Sequence, residues 1–307
     1  MNFCIFLENL LRHPENILLP FAQFLQCNLN SNQICEIKSR HKKPLQTALY
    51  FLSQEEKFKK IKFNIPAIDE ITYGGIIVRS ITEIFGEAGS GKSQICMQLA
   101  INVQLPEHFG GLNGKCVYVS TDKRIETRRL DAMAKSVKKV FANSPEVQEI
   151  SFLDNIFVEE FNTIHEFQSF VYKKLPRMLE LHPDIKLVVI DSIAGIFRIE
   201  TSFMERANLM RVLALKLEIL SDLHNFVIIA TNHITASSQE TGESETAALG
   251  TTWESMVGIQ LNVKNTSQYS PSRVRKIEVV SSGIEKRSAK FLITGNGLAE
   301  VELSRIS

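Results

Sequence analysis

Eight consecutive residues have the types and the spacing of a phosphate-binding loop. They follow the pattern G-x-x-x-x-G-K-[ST] and are Gly86, Glu87, Ala88, Gly89, Ser90, Gly91, Lys92 and Ser93. Glycines here let backbone N–H groups close around a polyphosphate, and the helix that follows, from Gln94 onward, favours an anion at its start. We therefore expect an ATP site in which Lys92 reaches the β- and γ-phosphates and the Ser93 hydroxyl coordinates Mg²⁺.

Three apolar runs further along the chain lead into polar residues, namely 187–190 into Asp191, 117–120 into Asp122 and 227–230 into His233. Ligands of parallel sheets lie at the carboxyl ends of the strands, so Asp191 would stand beside the loop and hold a Mg²⁺ water. Asp122 would orient the water that attacks the γ-phosphate, and His233 would sense that phosphate. For Asp122 and His233, an ordinary solvated strand end is the alternative interpretation.

The elements that must position these residues alternate between strand and helix. The sequence predicts strands over 81–85, 116–120, 156–159, 187–190 and 227–231, and helices over 93–104, 126–141, 163–180 and 204–224. Continuous apolar strands separated by helices indicate an α/β fold with a mostly parallel central sheet. After residue 248 the pattern changes to strands and turns, and 256–264, 276–281 and 290–293 are predicted to extend the sheet as antiparallel strands.

Bulk properties exclude several classes of protein. The 307 residues are 44% hydrophobic and 22% charged with a net charge of +1, which is typical of a globular protein without a global nucleic-acid charge signature. The five cysteines have no redox-motif or metal-ligand spacing, which indicates a reducing compartment. The first 29 residues are apolar in patches but interrupted by charges and prolines, so neither a signal peptide nor a membrane partner is expected.

Several linked motifs together resemble RecA-type ATPases of the eukaryotic recombinase paralog family. They are Gly74-Gly75, the segment 81–93, Gln104-Leu105-Pro106 with Gly110-Gly111-Leu112, Tyr118 to Asp122 with Arg129-Leu130, 189–192 and Thr231-Asn232. The resemblance runs from about residue 45 to 301, and the segment 248–253 favours one paralog branch of the family. It implies a RecA-like P-loop ATPase core with a mostly parallel central sheet and C-terminal antiparallel strands.

The resemblance also implies roles for the site residues. Lys92, Ser93 and Asp191 match the family's nucleotide and magnesium residues, and Arg129 matches an arginine that packs on the adenine. Asp122 stands where the family has a catalytic Glu, and His233 where strand-exchange enzymes carry a phosphate-sensing Gln. An oxygen displaced by about an ångström costs on the order of a hundredfold in rate, so we expect at most a weak DNA-dependent ATPase.

DNA contacts are expected from basic side chains rather than from the family's second DNA-binding loop. The corresponding loop, 234–249, contains three glutamates and neither Lys nor Arg, and acidic side chains oppose phosphate binding. Three arginines near the first DNA loop could contact single-stranded or branched DNA, although a helical arginine is most often a solvated charge. They are Arg198, Arg206 and Arg211, and a second candidate patch comprises Arg273, Arg275, Lys276, Lys286, Arg287 and Lys290.

A short linker is the expected partner interface. Leu45 and Ala48 match an F-x-x-A contact of the family that docks on a neighbouring subunit by strand addition, while a self-packed linker is the alternative. We predict a helical segment and basic linker over 1–43, the interprotomer linker over 44–62 and the ATPase domain over 63–307.

The function implied is recombination repair of DNA double-strand breaks, in the nucleus or alternatively the cytoplasm. The chain would pair with another recombinase paralog or with the main eukaryotic recombinase. An active strand-exchange ATPase and a nucleotide-bound structural adaptor without DNA contact are the two alternatives.

Overall fold

The strands that carry the site residues pair in one large sheet. The structure, a computed structural model, describes residues 47, 58–121, 124–197, 203–235, 246–247, 249–266, 274–280 and 287–301. All of them except 47 and 58 belong to a compact unit that begins at Lys59. The domain boundaries at 43/44 and 62/63 stay predictions.

Six strands of the sheet run parallel and three run antiparallel. In chain order the strands are β3 Ile81–Gly86, β4 Lys115–Ser120, β5 Ile156–Glu160, β6 Ile185–Asp191, β7 Val227–Thr235, β9 Ile259–Asn265, β10 Val274–Val279, β11 Ser288–Thr294 and β12 Gly297–Glu300. Their spatial order is β12-β11-β10-β9-β3-β7-β6-β4-β5, with pairing parallel from β9 to β5 and antiparallel from β12 to β9. The predicted α/β class with a mostly parallel sheet and antiparallel C-terminal strands is confirmed.

Two short pairings complete the strand inventory of the described residues. β1 Lys60–Ile61 and β2 Ile76–Ile77 form a separate antiparallel pair, and β8 Thr246–Ala247 pairs with the end of β7.

The first of the three predicted antiparallel strands is parallel instead. The prediction began it at residue 256, but β9 begins at Ile259, and β9 pairs parallel to β3. The Gly258 N–H donates to the Ile81 carbonyl at 3.0 Å, so the chain has returned to the amino edge of β3 before β9 starts. A strand that starts at the same edge as its neighbour must run in the same direction, and the antiparallel strands begin only with β10.

Helices cover the sheet, and their sequence patterns explain their positions. They are α1 Pro66–Ile71, α2 Lys92–Asn102, α3 Thr127–Val140, α4 Pro145–Gln148, α5 Ile164–Ser169, α6 Leu175–Leu181, α7 Ile193–Ile196, α8 Phe203–His224 and α9 Gly250–Glu254, with a 3₁₀ turn at Glu107–Phe109. In α3 the buried residues Leu130, Met133, Ala134 and Val137 recur at the spacing of one helix face. Almost all of α2 is buried, which fits a helix packed on every side.

The helix predicted over 163–180 is present as one continuous helical run that contains a π-helical segment. Thr163 and Glu166 form a capping box at the start of α5, with the Glu166 N–H donating to Thr163 Oγ1 at 3.2 Å. A π-helical segment, Phe170–Lys174, then connects α5 to α6 without a break. Phe170 of this segment lies in the main hydrophobic core, as does Phe167 of α5. The same core contains Val188 and Ile190 of β6. None of the helices in the described ranges is long and apolar enough to cross a membrane.

Truncation of Phe167 tests this core assignment. Phe167 has no exposed surface, whereas Leu181 at the end of α6 is 66% exposed. We expect Phe167→Ala to lower the free energy of unfolding by about 3–5 kcal/mol, and Leu181→Ala to change it by less than about 0.5 kcal/mol. Urea unfolding followed by circular dichroism measures both, and equal losses for the two variants would contradict the position of the core.

Candidate nucleotide site at the carboxyl edge of the sheet

The phosphate-binding loop connects the end of β3 directly to α2. Gly86, Gly89 and Gly91 have φ angles of 156°, 75° and 108°, a backbone region that side chains rarely adopt. A Cβ atom on Gly86 would also lie 2.2 Å from the Val263 carbonyl oxygen, and one on Gly91 2.4 Å from Ile293 Cδ1. At Gly86 the need for glycine is therefore steric, because the backbone of β9 approaches the loop there.

Lys92 lies over the loop rather than in solvent. Its Nζ donates to the carbonyl oxygens of Gly86 and Glu87, both at 2.8 Å, and the residue is only 7% exposed. Burial lowers the pKa of Lys92, an effect opposed by the charge of Asp191. A bound phosphate would therefore have to compete with two backbone carbonyls for this ammonium group.

Two serines of the loop differ in environment. Ser90 Oγ is buried and has no hydrogen-bond partner among the described residues, and Ser93 is exposed at the first turn of α2. An exposed hydroxyl at this position is available to a cation, which agrees with the role predicted for Ser93. That role stays a prediction.

Asp191 ends β6 at the same edge, and neighbouring strands hold it in place. Tyr118 of β4 donates its hydroxyl to Asp191 Oδ2 at 2.7 Å, and Thr231 of β7 donates to Oδ1 at 2.6 Å. The Thr121 N–H donates to the Asp191 carbonyl oxygen at 3.0 Å. Burial raises the pKa of Tyr118 well above its ordinary value, so its hydroxyl remains a donor.

A second carboxylate, Glu83 in the middle of β3, is wholly buried below the loop. Its two oxygens accept from Asn232 Nδ2 at 2.7 Å and from Gln260 Nε2 at 2.6 Å. Burial raises the pKa of Glu83, and these two donors oppose that rise. The sequence motifs did not point to this group, although a glutamate inside the apolar run 81–85 is a signal that could have identified it.

His233 lies directly across from the first glycine of the loop. In the parallel register of β3 and β7, Gly86 pairs with His233 and Phe85 with Asn232. The His233 N–H donates to Asn232 Oδ1 at 2.8 Å, so the hydrogen bonds of Glu83 extend to His233. This position suits the phosphate-sensing role that was predicted for His233.

Arg129 of α3 connects the first turn of α2 with the C-terminal hairpin, which is formed by β11 and β12. Its Nε donates to Gln94 Oε1 at 2.7 Å, and its terminal nitrogens donate to the carbonyls of Thr294, at 2.5 Å, and Gly295. Partial burial lowers the pKa of Arg129, and nearby Glu126 opposes that shift. The guanidinium plane is thus held beside the first turn of α2, where a base attached to bound phosphates could stack on it.

Other predicted site residues lie elsewhere or outside the described residues. Arg206 and Arg211 are on α8, where Arg211 is exposed and donates to Asn208 Oδ1 at 3.2 Å. Six predicted residues fall outside the described ranges, namely Leu45, Ala48, Asp122, Arg198, Arg273 and Lys286. The same applies to most of the predicted acidic loop.

The donor set fits MgATP. In the described part of the chain, no group of three or more His, Cys, Asp or Glu side chains could hold a metal ion alone. Mg²⁺ binds few protein oxygens, together with substrate phosphates and several waters. Ser93 offers a protein oxygen of this kind, and Asp191 could hold one of the waters. A bound Mg²⁺ would supply charge neutralisation at the β- and γ-phosphates.

Comparison with known proteins identifies the family of the chain. The model of the Rad51 family matches residues 55–301, which is well over half of the chain. The chain belongs to the Rad51 family. It is 33% identical over 264 residues to the DNA repair and recombination protein RadA of Metallosphaera sedula, covering 84% of this chain and 77% of RadA.

Two further relatives of the Rad51 family chain were found. RadA of Aeropyrum pernix is 37% identical over 212 residues, covering 67% of this chain and 62% of that relative. The DNA repair protein RAD57 of Saccharomyces cerevisiae is 39% identical over 176 residues, covering 55% of this chain and 37% of RAD57. The family match includes the phosphate-binding loop, Asp191 and the C-terminal hairpin.

Removal of the Lys92 ammonium group tests the nucleotide site. We expect Lys92→Ala to weaken ATP binding at least about 100-fold, equivalent to about 2.7 kcal/mol, because the lysine is the point charge aimed at the phosphates. The melting temperature of the apo protein should change little, because the cost of burying the Lys92 ammonium group offsets the stability that its two hydrogen bonds contribute.

Lys135→Ala is the matched control, because Lys135 is exposed on α3 and pairs with Asp131. Its ATP affinity should equal that of the wild type in equilibrium fluorescence titrations. Wild-type affinity in Lys92→Ala would contradict the assignment of the loop.

Proposed function

We propose that the chain is an ATP-binding recombinase paralog that acts in homologous recombination repair of DNA double-strand breaks. It is a partner or mediator of recombinase filaments rather than the strand-exchange enzyme. The observation that carries this proposal is the convergence of the loop 86–93, Asp191 and His233 at one sheet edge in a Rad51 family chain.

Strong ATP binding and slow hydrolysis are the combination that the residues favour. The loop and Asp191 supply the phosphate and magnesium contacts, while Asp122 and His233 replace the family's Glu and Gln in the hydrolytic roles. A shorter carboxylate displaces the water-positioning oxygen, which affects the transition state more than the ground state. The proposed activity is therefore a weak, DNA-dependent ATPase, with ATP serving mainly to stabilise a protein assembly.

Within the family, we assign the chain to the branch of the third X-ray-repair cross-complementing protein. The segment 248–253 supports this assignment, and its Trp253 is 1% exposed and packs in the main core. Similarity to RAD57 supports a role in DNA repair, and the RadA relatives support recombination. Because the proposed substrate is a break in chromosomal DNA, we propose that the chain acts in the nucleus.

A row of three lysines favours direct DNA contact over the adaptor alternative. In the registers of β10 with its two neighbours, Lys276 pairs with Lys264 on one side and with Lys290 on the other. Like charges directly opposite each other destabilise a sheet. Glu278 compensates in part, since it lies 3.6 Å from Lys264 Nζ and 2.5 Å from Lys276 Nζ and its pKa is lowered by Lys276.

Three lysines in a row suit a nucleic-acid backbone. Adjacent strands are about 4.8 Å apart, so the row presents closely spaced ammonium groups to successive phosphates. Lys276 and Lys290 belong to the patch predicted from the sequence, and Lys264 extends it.

Charge removal from the lysine row tests DNA contact. We expect Lys264→Gln, Lys276→Gln and Lys290→Gln together to weaken single-stranded DNA binding at least about tenfold at low salt. The slope of log affinity against log salt should fall by about 2, because each lost phosphate contact contributes about 0.7. The control is the triple Gln variant of Lys135, Lys138 and Lys139 on α3, which removes the same charge and should bind as the wild type. Equal losses in both variants would mean that only net charge matters.

Charge insertion at the linker tests the partner role. We expect Leu45→Glu with Ala48→Glu to abolish co-purification with the partner recombinase subunit, because a charge in a desolvated pocket costs several kcal/mol. The melting temperature of the ATPase domain should not change. Gln46→Glu with Thr47→Glu adds the same charge at the two intervening positions, where Thr47 is exposed, and should leave co-purification intact. Stoichiometric co-purification of the first variant at moderate salt would exclude the linker as the docking strand.

A further inference from the structure

Two buried hydroxyl groups clamp the carboxylate of Asp191 from opposite sides. Strand β6 lies between β4 and β7, and each neighbour contributes one donor to Asp191. Tyr118 of β4 is 2% exposed and donates to Oδ2 at 2.7 Å, and Thr231 of β7 has no exposed surface and donates to Oδ1 at 2.6 Å. Each carboxylate oxygen therefore has one partner, and the plane of the group is fixed by two bonds.

Strand register explains how these residues meet. Asp191 is the direct partner of Ser120 on β4, and Tyr118, two residues earlier, lies on the same face of the sheet. On the other side Ile190 pairs with Ala230, so Asp191 is level with Thr231. Contacts between residues 73 and 40 positions apart thus follow from the parallel pairing alone.

The main chain at Asp191 is held by separate contacts. Thr121 donates its N–H to the Asp191 carbonyl at 3.0 Å and its hydroxyl to the Ser192 carbonyl at 2.7 Å. The Ser192 N–H donates back to Thr121 Oγ1 at 3.0 Å. Backbone and side chain are therefore fixed independently, and the carboxylate is oriented before any ligand arrives.

A carboxylate has about four acceptor positions, so two remain on Asp191 after the hydroxyls have bonded. Groups that orient a metal-binding carboxylate contribute about 10–100-fold to metal affinity in characterised sites. We propose that Tyr118 and Thr231 are positioning residues that orient Asp191 toward a water of ATP-bound Mg²⁺. This inference rests on the proposed ATP-binding function and adds two residues that support its magnesium site.

The alternative interpretation is that Asp191 serves only as the hydrogen-bond acceptor for two buried hydroxyls and that these hydroxyls have no effect on magnesium binding. The two interpretations differ in what happens when the hydroxyls are removed with little change of shape. Tyr118→Phe and Thr231→Val do this, and under the structural interpretation they affect stability without affecting the response of ATP binding to Mg²⁺. Under our proposal they reduce that response.

The experiment measures ATP affinity by equilibrium titration with a fluorescent ATP analogue, in excess EDTA and at free Mg²⁺ from micromolar to about 10 mM. The quantity compared is the gain in affinity between EDTA and saturating Mg²⁺. In the double variant Tyr118→Phe with Thr231→Val, we expect this gain to be at least about tenfold smaller than in the wild type. In each single variant it should be several-fold smaller. Affinity in EDTA should remain within about twofold of the wild type.

Two controls separate the clamp from general effects on the sheet. Thr82→Val makes the same chemical change on β3, where the buried Thr82 hydroxyl has no hydrogen-bond partner among the described residues, and should retain the wild-type gain. Thr231→Ser keeps the hydroxyl and should also retain it. Melting temperatures of the apo proteins identify any variant that does not fold, and the single variants then decide the question.

A wild-type gain in Tyr118→Phe and Thr231→Val would overturn the clamp while leaving the proposed ATP binding intact. A wild-type protein that binds ATP equally well in EDTA and in Mg²⁺ would also overturn it. Absence of any ATP binding by the folded wild type would instead refute the proposed function itself.

Discussion

The register between neighbouring parallel strands sets which side chains meet at the carboxyl edge of the sheet. Gly86 pairs with His233, Ser120 pairs with Asp191, and Ile190 pairs with Ala230. A shift of one residue in any of these pairings would turn its side chains to the opposite face. The backbone pairing therefore sets the positions of the loop 86–93, Asp191 and His233 along their strands. This alignment is what allows all three to act on one ligand.

Removing polar groups from water near this edge costs free energy, and hydrogen bonds from neighbouring strands offset that cost. Glu83 and Asp191 each accept two hydrogen bonds, in each case from side chains of other strands. Strand β7 connects the two groups, because Thr231 bonds Asp191 of β6 while Asn232 bonds Glu83 of β3. Residues 231 and 232 of β7 are thus bonded to both neighbouring strands, so Asp191 and Glu83 are connected through one strand.

Sequence reasoning predicted the parts of this site that depend on local patterns. The glycine spacing of 86–91, the apolar run before Asp191 and the alternation of strands and helices are all visible within short windows. The partners of Asp191 and Glu83 could not be predicted, because they are set by register between distant strands. The parallel direction of β9 was missed for a similar reason, since it depends on where the chain returns after α9. The contact of Lys92 with two loop carbonyls was also not foreseen, because it depends on backbone geometry that the pattern does not encode.

A structure of the protein bound to Mg²⁺ and a non-hydrolysable ATP analogue is the most direct test of this account. In that structure we expect Lys92 Nζ to have left the Gly86 and Glu87 carbonyls and to contact the β- and γ-phosphates. The hydrogen bonds from Tyr118 and Thr231 to Asp191 should be unchanged, with a magnesium water within hydrogen-bond distance of that carboxylate. A nucleotide bound away from the loop 86–93, or a bound nucleotide with Asp191 turned away from the metal, would contradict the account.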